Sequence, residues 1–115
     1  MQPTTLQQLI DATGGRPIGA RRSLVVSGPV TIDSRQVQPK GIFWAVPGEH
    51  QDGHDFLADA WKRNAALCVI DEQHESQVGW SFRRRPYLVV HDTVQALQHF
   101  AAWHRQRSDA FVVGI

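Results

Sequence analysis

Ile42-Phe-Trp-Ala-Val46, Pro47-Gly48, the polar run Glu49-His-Gln-Asp-Gly-His54 and then Asp55-Phe-Leu-Ala-Asp-Ala-Trp61 make up the stretch that decides the fold. Five consecutive apolar residues read as a buried strand, and Pro47-Gly48 ends it, because proline lacks a ladder donor and glycine admits turn torsions. Phe56, Leu57, Ala60 and Trp61 recur at the spacing of one helical face, with Asp55, Asp59, Lys62 and Arg63 pointing elsewhere. A helix is predicted from near Asp55 to about Asn64. Ala66-Leu-Cys-Val-Ile70 is the next apolar strand, so the stretch reads as strand, loop, helix, strand.

Working outward toward the N-terminus, Gln38-Pro-Lys-Gly41 is a turn signal. Before it, Leu24-Val-Val26 and Val30-Thr-Ile32 flank Ser27-Gly-Pro29 and read either as two strands or as one interrupted strand. Residues Arg16 to Ser23 read as a loop. A first helix is predicted from about Thr5 to Thr13, since Leu6, Leu9 and Ile10 share a face and Gly14-Gly15 supplies a stop. Toward the C-terminus, Asp71 to Arg85 is polar and reads as irregular, and Tyr87-Leu-Val-Val90 is a strand. Asp92 or Thr93 caps a long helix ending near Arg107, with Val94, Leu97, Ala101 and His104 at helical spacing and Phe100 and Trp103 beside them. Ala110 to Ile115 has the continuous apolar character of a strand buried on both faces, and the chain stops inside it, which reads as a boundary cut through a longer protein. Strands alternating with helices argue for an α/β domain in which helices cover a small sheet.

The 115 residues suit one domain. Twelve Lys and Arg against eleven Asp and Glu give a net charge of +1, and no basic stretch tracks a phosphate backbone, so general nucleic-acid binding is disfavoured. Arg21-Arg22 and Arg83-Arg84-Arg85 read as solvated faces. Cys68, the single cysteine, lies inside an apolar run, where a reduced thiol packs as a small hydrophobe and no disulfide within the chain is possible. The chain has neither a signal-peptide pattern nor an apolar run of the roughly 20 residues that span a bilayer, so a cytoplasmic protein is expected.

Two polar segments are candidates for chemistry. Asp33-Ser34-Arg35 at a strand end offers a hydroxyl and a planar guanidinium, both suited to phosphate or ribose oxygens; its plainer reading is a turn in which Asp33 accepts backbone hydrogen bonds. Gly48 to His54 is a polar loop between a buried strand and a helix start, where α/β sheets place ligands. There Glu49, His50 and Gln51 can read a nucleobase edge, while Asp52 and Gly53 can instead simply fold the turn and cap the helix. His50 and His54, four apart, match helical metal-ligand spacing, but Gly53 and the helix boundary put His50 outside the helix, so no metal site is assigned. No catalytic residue is assigned either: the chain has no Gly-x-Ser-x-Gly elbow, no Cys-x-x-Cys pair and no complete Gly-rich phosphate loop. Trp44, Trp61, Trp80 and Trp103 read as packing residues rather than stacking platforms.

Taken in order, Thr31-Ile-Asp-Ser-Arg35, Pro39-Lys-Gly-Ile-Phe-Trp-Ala-Val46, Gly48 with Asp52-Gly-His-Asp-Phe56, the helix end Ala60 to Ala66 and the Asp92-Thr93 helix start resemble the N-terminal domain of the Mur ligase family. The likeness runs from about Leu6 to Ile115. Gly53-His-Asp-Phe56 and the helix Asp92 to Trp103 look more like the MurF branch than the MurE branch, which stays the alternative. The resemblance implies an α/β fold with a small mixed sheet flanked by helices, divided into a UDP-substrate-binding domain over 1–109 and the first strand of a central ATPase domain over 110–115. It implies that Ile32, Ser34 and Arg35 lie by the uridine or diphosphate, that Glu49, His50 and Gln51 line the uracil side, and that Gly48, Asp52, Gly53 and His54 shape the loop. Some members carry His-Gln-Ala directly before Asp-Gly where this chain has Glu49-His-Gln51, which shifts the His-Gln pair by one residue.

By the same resemblance the partners are a UDP-N-acetylmuramoyl-peptide and the central ATPase and C-terminal domains of a longer bacterial chain, with neither nucleic acid nor membrane. ATP and Mg²⁺ are expected for that full-length enzyme and no cofactor for these residues. The whole enzyme would phosphorylate the peptide carboxylate and let an amine displace the phosphate, D-alanyl-D-alanine in MurF and the third amino acid in MurE. A reading of another class is a non-catalytic interaction domain that uses its arginine clusters and exposed aromatics.

Overall fold

A computed structural model describes residues 3–82 and 84–107 of the chain. In chain order the elements are β1 (Thr4–Thr5), α1 (Leu6–Thr13), β2 (Arg16–Ile18), β3 (Val25–Val26), β4 (Val30–Thr31), β5 (Ile42–Trp44), α2 (Leu57–Lys62), β6 (Leu67–Asp71), α3 (Glu75–Ser81), β7 (Tyr87–Val90) and α4 (Thr93–Arg107). Single 3₁₀ turns lie at Ser34–Gln36, Gly53–Phe56 and Glu72–His74.

Period-two alternation in β5, β6 and β7 sets the architecture, because successive side chains in a strand point to opposite faces. Phe43, Cys68, Ile70, Tyr87 and Val89 pack on one face against Leu57, Ala60 and Trp61 of α2 and Val78 of α3. On the other face Ile42, Trp44, Leu67, Val69, Leu88 and Val90 meet Leu6 and Leu9 of α1 and Ala96 and Phe100 of α4. Strands buried on both sides pair in parallel when helical crossovers join them. The sheet order is β2-β7-β6-β5-β4, with β4 to β7 parallel and β2 antiparallel against β7. This is a small mixed sheet flanked by helices, an α/β fold.

Local chemistry accounts for α1. Its N-cap Thr5 accepts from the Gln8 amide at 3.2 Å while the Gln8 side chain accepts from the Thr5 amide at 3.0 Å, a reciprocal capping box. Gly14 then closes the helix in the left-handed region at φ 73, its N–H donating to the Ile10 carbonyl.

The structure departs from the sequence reading in three places. Arg16–Ile18, expected as loop, is the edge strand β2; Pro17 is tolerated there because an edge strand can spare a donor. Glu72–His74 and α3 occupy the segment expected to be irregular; Val78 is the only buried residue of α3, too little apolar pattern to announce a helix. The helix expected from Asp55 begins as the 3₁₀ turn Gly53–Phe56 and ends at Lys62. Of the two readings of Leu24 to Ile32, the structure takes that of two strands, Val25–Val26 and Val30–Thr31, and places them in different sheets: β3 pairs with β1, and β4 with β5. The strand expected at Ala110 to Ile115, and with it the proposed domain boundary, lies outside the described residues. Among the described residues no helix is long and apolar enough to cross a membrane.

Candidate functional site

The 3₁₀ turn after β4 and the loop after β5 leave the carboxyl ends of two adjacent parallel strands, the position where open α/β sheets take ligands. Between them lies a cleft of about 680 Å³. One wall is Ile32, Asp33, Ser34 and Arg35; the other is Val46, Gly48, Gln51 and Gly53; Phe56 and Asp59 complete it from the helical side.

The first wall is held by short-range hydrogen bonds. The Thr31 hydroxyl accepts from the Asp33 amide at 3.1 Å, and Asp33 Oδ1 accepts from the Arg35 amide at 3.0 Å, capping the Ser34–Gln36 turn. The Arg35 guanidinium forks onto the same carboxylate, Nε to Oδ1 at 3.1 Å and Nη2 to Oδ2 at 3.0 Å. Those side-chain bonds, with the Arg35 amide, hold the Asp33 carboxyl below the usual range, and Asp33 raises the guanidinium in return. Buried Ser34 gives its hydroxyl to Asp59, the main reason that carboxyl is also lowered, with help from Arg63 at 3.2 Å.

The second wall is a loop folded back on its own strand. Gly48 N–H donates to the Gln51 carbonyl and Gly53 N–H to the Val46 carbonyl, both at 2.9 Å, and Pro47 pairs with Asp52 as an isolated bridge. Asp52 caps the Gly53–Phe56 turn by accepting from the His54 amide at 3.0 Å. Burial pushes the Asp52 carboxyl up, but the hydrogen bonds from the His54 amide and ring outweigh it and leave the group lowered.

Of the residues singled out in the sequence, Ile32, Ser34, Arg35, Gly48, Gln51 and Gly53 line the cleft. Asp52 and buried His54 stand behind the loop. Glu49 and His50 sit at its outward tip with side chains 94% and 91% exposed, apart from the lining. Asp33, expected to fold the turn, also lines the cleft, as do Val46, Phe56 and Asp59, which were not singled out. Apolar walls with a guanidinium, a hydroxyl and amide groups suit a flat heterocycle carrying an anionic group. Among the described residues, the cleft lining contains neither a histidine nor a cysteine.

The lowered carboxyls set an acid limit. A carboxyl whose folded pKa is below its unfolded value contributes stability that is complete above the unfolded value, about 4, and is lost as pH falls through the folded one. Asp33, Asp52 and Asp59 all have this sign. The urea midpoint is therefore expected to hold between pH 5 and 7 and to drop below about pH 4, with a shallower acid slope in Asp33→Asn. Equal slopes in the two proteins would contradict this account of Asp33.

Comparison with known proteins gives a consistent set of likenesses. The sequence profile described as "Mur ligase family, catalytic domain" matches residues 29–105. The UDP-N-acetylmuramoyl-tripeptide--D-alanyl-D-alanine ligase of Treponema pallidum is 34% identical over 107 residues, covering 89% of this chain and 23% of that protein. A UDP-N-acetylmuramoyl-L-alanyl-D-glutamate--2,6-diaminopimelate ligase of Geobacter sulfurreducens is 36% identical over 103 residues, covering 86% and 19% respectively. The crystal structure of MurF from Acinetobacter baumannii superimposes with a TM-score of 0.76 at 27% identity, over 93% of this chain and 22% of that one. The chain thus spans less than a quarter of the length of these relatives.

Proposed function

The chain belongs to the Mur ligase family, and from that premise we propose that it is the UDP-substrate-binding part of an ATP-dependent ligase of the bacterial cytoplasm that adds D-alanyl-D-alanine to UDP-N-acetylmuramoyl-tripeptide. The observation that carries this reading is the cleft between the Ser34 turn and the Gly48 to Gly53 loop. In it the uracil packs against apolar wall residues with its polar edge toward the Gln51 side, and the diphosphate meets Arg35 and takes the Ser34 hydroxyl over from Asp59. Asp33 engages Arg35 through a two-bonded fork, so a phosphate either shares the guanidinium with it or takes it over. The MurF reading rests on the Treponema relative and the Acinetobacter structure, and the diaminopimelate-adding ligase of Geobacter keeps a MurE-type activity as the second reading.

The amide-forming chemistry we assign to other parts of a longer chain. The 115 residues contain no Gly-x-x-x-x-Gly-Lys-Thr loop, and the cleft contains no lysine to meet a triphosphate. In that chemistry a peptide carboxylate oxygen attacks the γ-phosphorus of Mg²⁺-bound ATP with loss of ADP, and an amine then attacks the acyl carbon with loss of phosphate. The role left to these residues is to anchor the nucleotide end of the substrate, so that remote binding energy fixes the reacting end.

UDP titration of the 115-residue chain followed by NMR tests this. Amide shifts are expected at Ser34, Arg35 and Gly48 to His54, and Arg35→Ala should weaken binding about tenfold through loss of a charge-assisted contact, with Ser34→Ala a smaller loss. No perturbation at millimolar UDP would sink the reading.

A further inference from the structure

Behind the cleft loop, and outside the cleft itself, four titratable side chains close a ring. Asp52 and His54 come from the loop; Asp71 ends β6, and His74 closes the 3₁₀ turn that follows it. His54 Nδ1 lies 2.7 Å from Asp52 Oδ1, and His54 Nε2 accepts the Asp71 amide at 3.1 Å. His74 Nδ1 lies 2.7 Å from Asp71 Oδ1, and His74 Nε2 lies 3.3 Å from Asp52 Oδ2. The two imidazoles stack with centroids 3.7 Å apart and planes 7° from parallel.

A shared metal ion is the obvious competing occupant, since ligand atoms of Asp52, His54 and His74 gather within 4.8 Å of one another. The stack argues against it. An imidazole lone pair lies in the ring plane, so a bound ion sits in that plane about 2 Å from nitrogen. Two nearly parallel planes at this spacing share no such point. His54 Nε2 also has its lone pair committed to the Asp71 amide, which puts the ring proton on Nδ1 facing Asp52 and leaves that ring neutral.

His74 differs. Both of its nitrogens face carboxylate oxygens, and a neutral imidazole has one N–H, so only the imidazolium satisfies both. Its charge then lies over the face of a neutral ring, a favourable contact. The groups facing it are Asp52 and Asp71 at the ring edge and His54 on the ring face, while neighbouring Glu72 and Glu75 pair instead with His91 and Arg16.

We propose that His74, with Asp71, is a positioning residue for the nucleotide cleft: its protonated form clamps the Asp52–His54 loop to the end of β6, so that ligand binding and proton uptake at His74 are linked. This rests on the nucleotide reading of the cleft. The path is short. Asp52 is bridged to Pro47 and is adjacent in sequence to two cleft residues, Gln51 and Gly53, so the clamp fixes the second wall. Loss of the proton turns a lone pair toward one carboxylate, the loop is then held to the end of β6 only through His54, and affinity falls.

The probe is UDP-N-acetylglucosamine, whose diesterified diphosphate keeps constant charge over the interval in which imidazoles titrate. Calorimetry is expected to give a dissociation constant about fivefold weaker at pH 8 than at pH 5.5, with proton uptake on binding. His74→Gln should be flat with pH at the wild-type pH 8 value. A second readout needs no ligand: protection factors of the Asp71 and Gly53 amides should fall as pH rises in the wild type and stay constant in His74→Gln. Ligand binding that is flat with pH, or a pH dependence surviving in His74→Gln, overturns the clamp while leaving the nucleotide reading intact. No binding at any pH, with the protection change present, removes the nucleotide reading and the linkage to it. Protection factors that ignore pH remove the clamp whatever the ligand does.

Discussion

Trp44→Ala is expected to destabilise the chain by about 4 kcal/mol, the largest single stability effect we predict. Trp44 is fully buried at the end of β5, its ring stacks on Phe100 of α4 at 5.6 Å, and its Nε1–H donates to the Thr93 carbonyl at 2.7 Å. Truncation removes the apolar area, leaves a void that β5 and α4 cannot both move to fill, and deprives a buried carbonyl of its donor. Against a total of about 5–15 kcal/mol for a domain of this size, that is a large share, and the urea midpoint should fall by about 2–4 M. Trp44→Phe keeps most of the area and loses the indole donor, so a cost of about 1–2 kcal/mol separates the hydrogen bond from the packing. Trp80→Ala is the control: that side chain is 76% exposed, and its loss should change stability by less than about 0.5 kcal/mol. An unfolding free energy for Trp44→Ala within about 1 kcal/mol of wild type would mean that the α4 face does not depend on this contact.

How far the fold was legible follows from where the apolar pattern is dense. Ile42 to Val46, Ala66 to Ile70 and Tyr87 to Val90 are buried on both faces, so their composition alone marks them, and the observed strands fall within them or one residue beyond. Thr5, Gln8 and Gly14 carry the ends of α1 in side-chain chemistry that needs no tertiary contact. Arg16–Ile18 had no such mark. It is a strand only because β7 offers an edge, and its residues are polar or only half-buried. Likewise α3 hangs on Val78, and one apolar residue has no period.

The cleft was legible for a similar reason, and only in part. Ser34, Arg35 and Gln51 lie in turns that follow strands, and parallel pairing of β4 with β5 brings those turns together. Asp59 was missed because a helical carboxylate beside an apolar face looks solvated until Ser34 is placed against it. Glu49 and His50 belong to the same loop as Gln51, but Gly48 and Gln51 close a tight return that turns the two residues between them outward. Pairing of His74 with Asp52 could not be seen at all, since it depends on α2 carrying the chain back so that β6 ends beside the loop.

Gly53→Ala is expected to cost at least tenfold in UDP affinity, the largest binding effect we predict for a single methyl group. A Cβ at Gly53 would sit 2.7 Å from the Val46 nitrogen and 3.0 Å from both the Ala45 Cα and the Val46 carbonyl oxygen. Those are backbone atoms of the chain leaving β5, which cannot rotate aside as a side chain would. The loop must therefore move away from the strand, breaking the Gly53 to Val46 hydrogen bond and shifting Gln51 and Gly48 with it. Overpacking of this kind costs about 1–3 kcal/mol in stability, so the variant should still fold, and its affinity can be read by the same UDP titration. Gly14→Ala separates local geometry from general destabilisation. Gly14 has φ 73 with nothing within 4 Å of the added carbon, so alanine there costs about 1 kcal/mol of backbone strain, far from the cleft. Its UDP affinity should match wild type. Gly53→Ala binding UDP within twofold of wild type would mean that the returning loop is not a wall of the binding site, and the reading of the cleft would then have to rest on Ser34 and Arg35 alone.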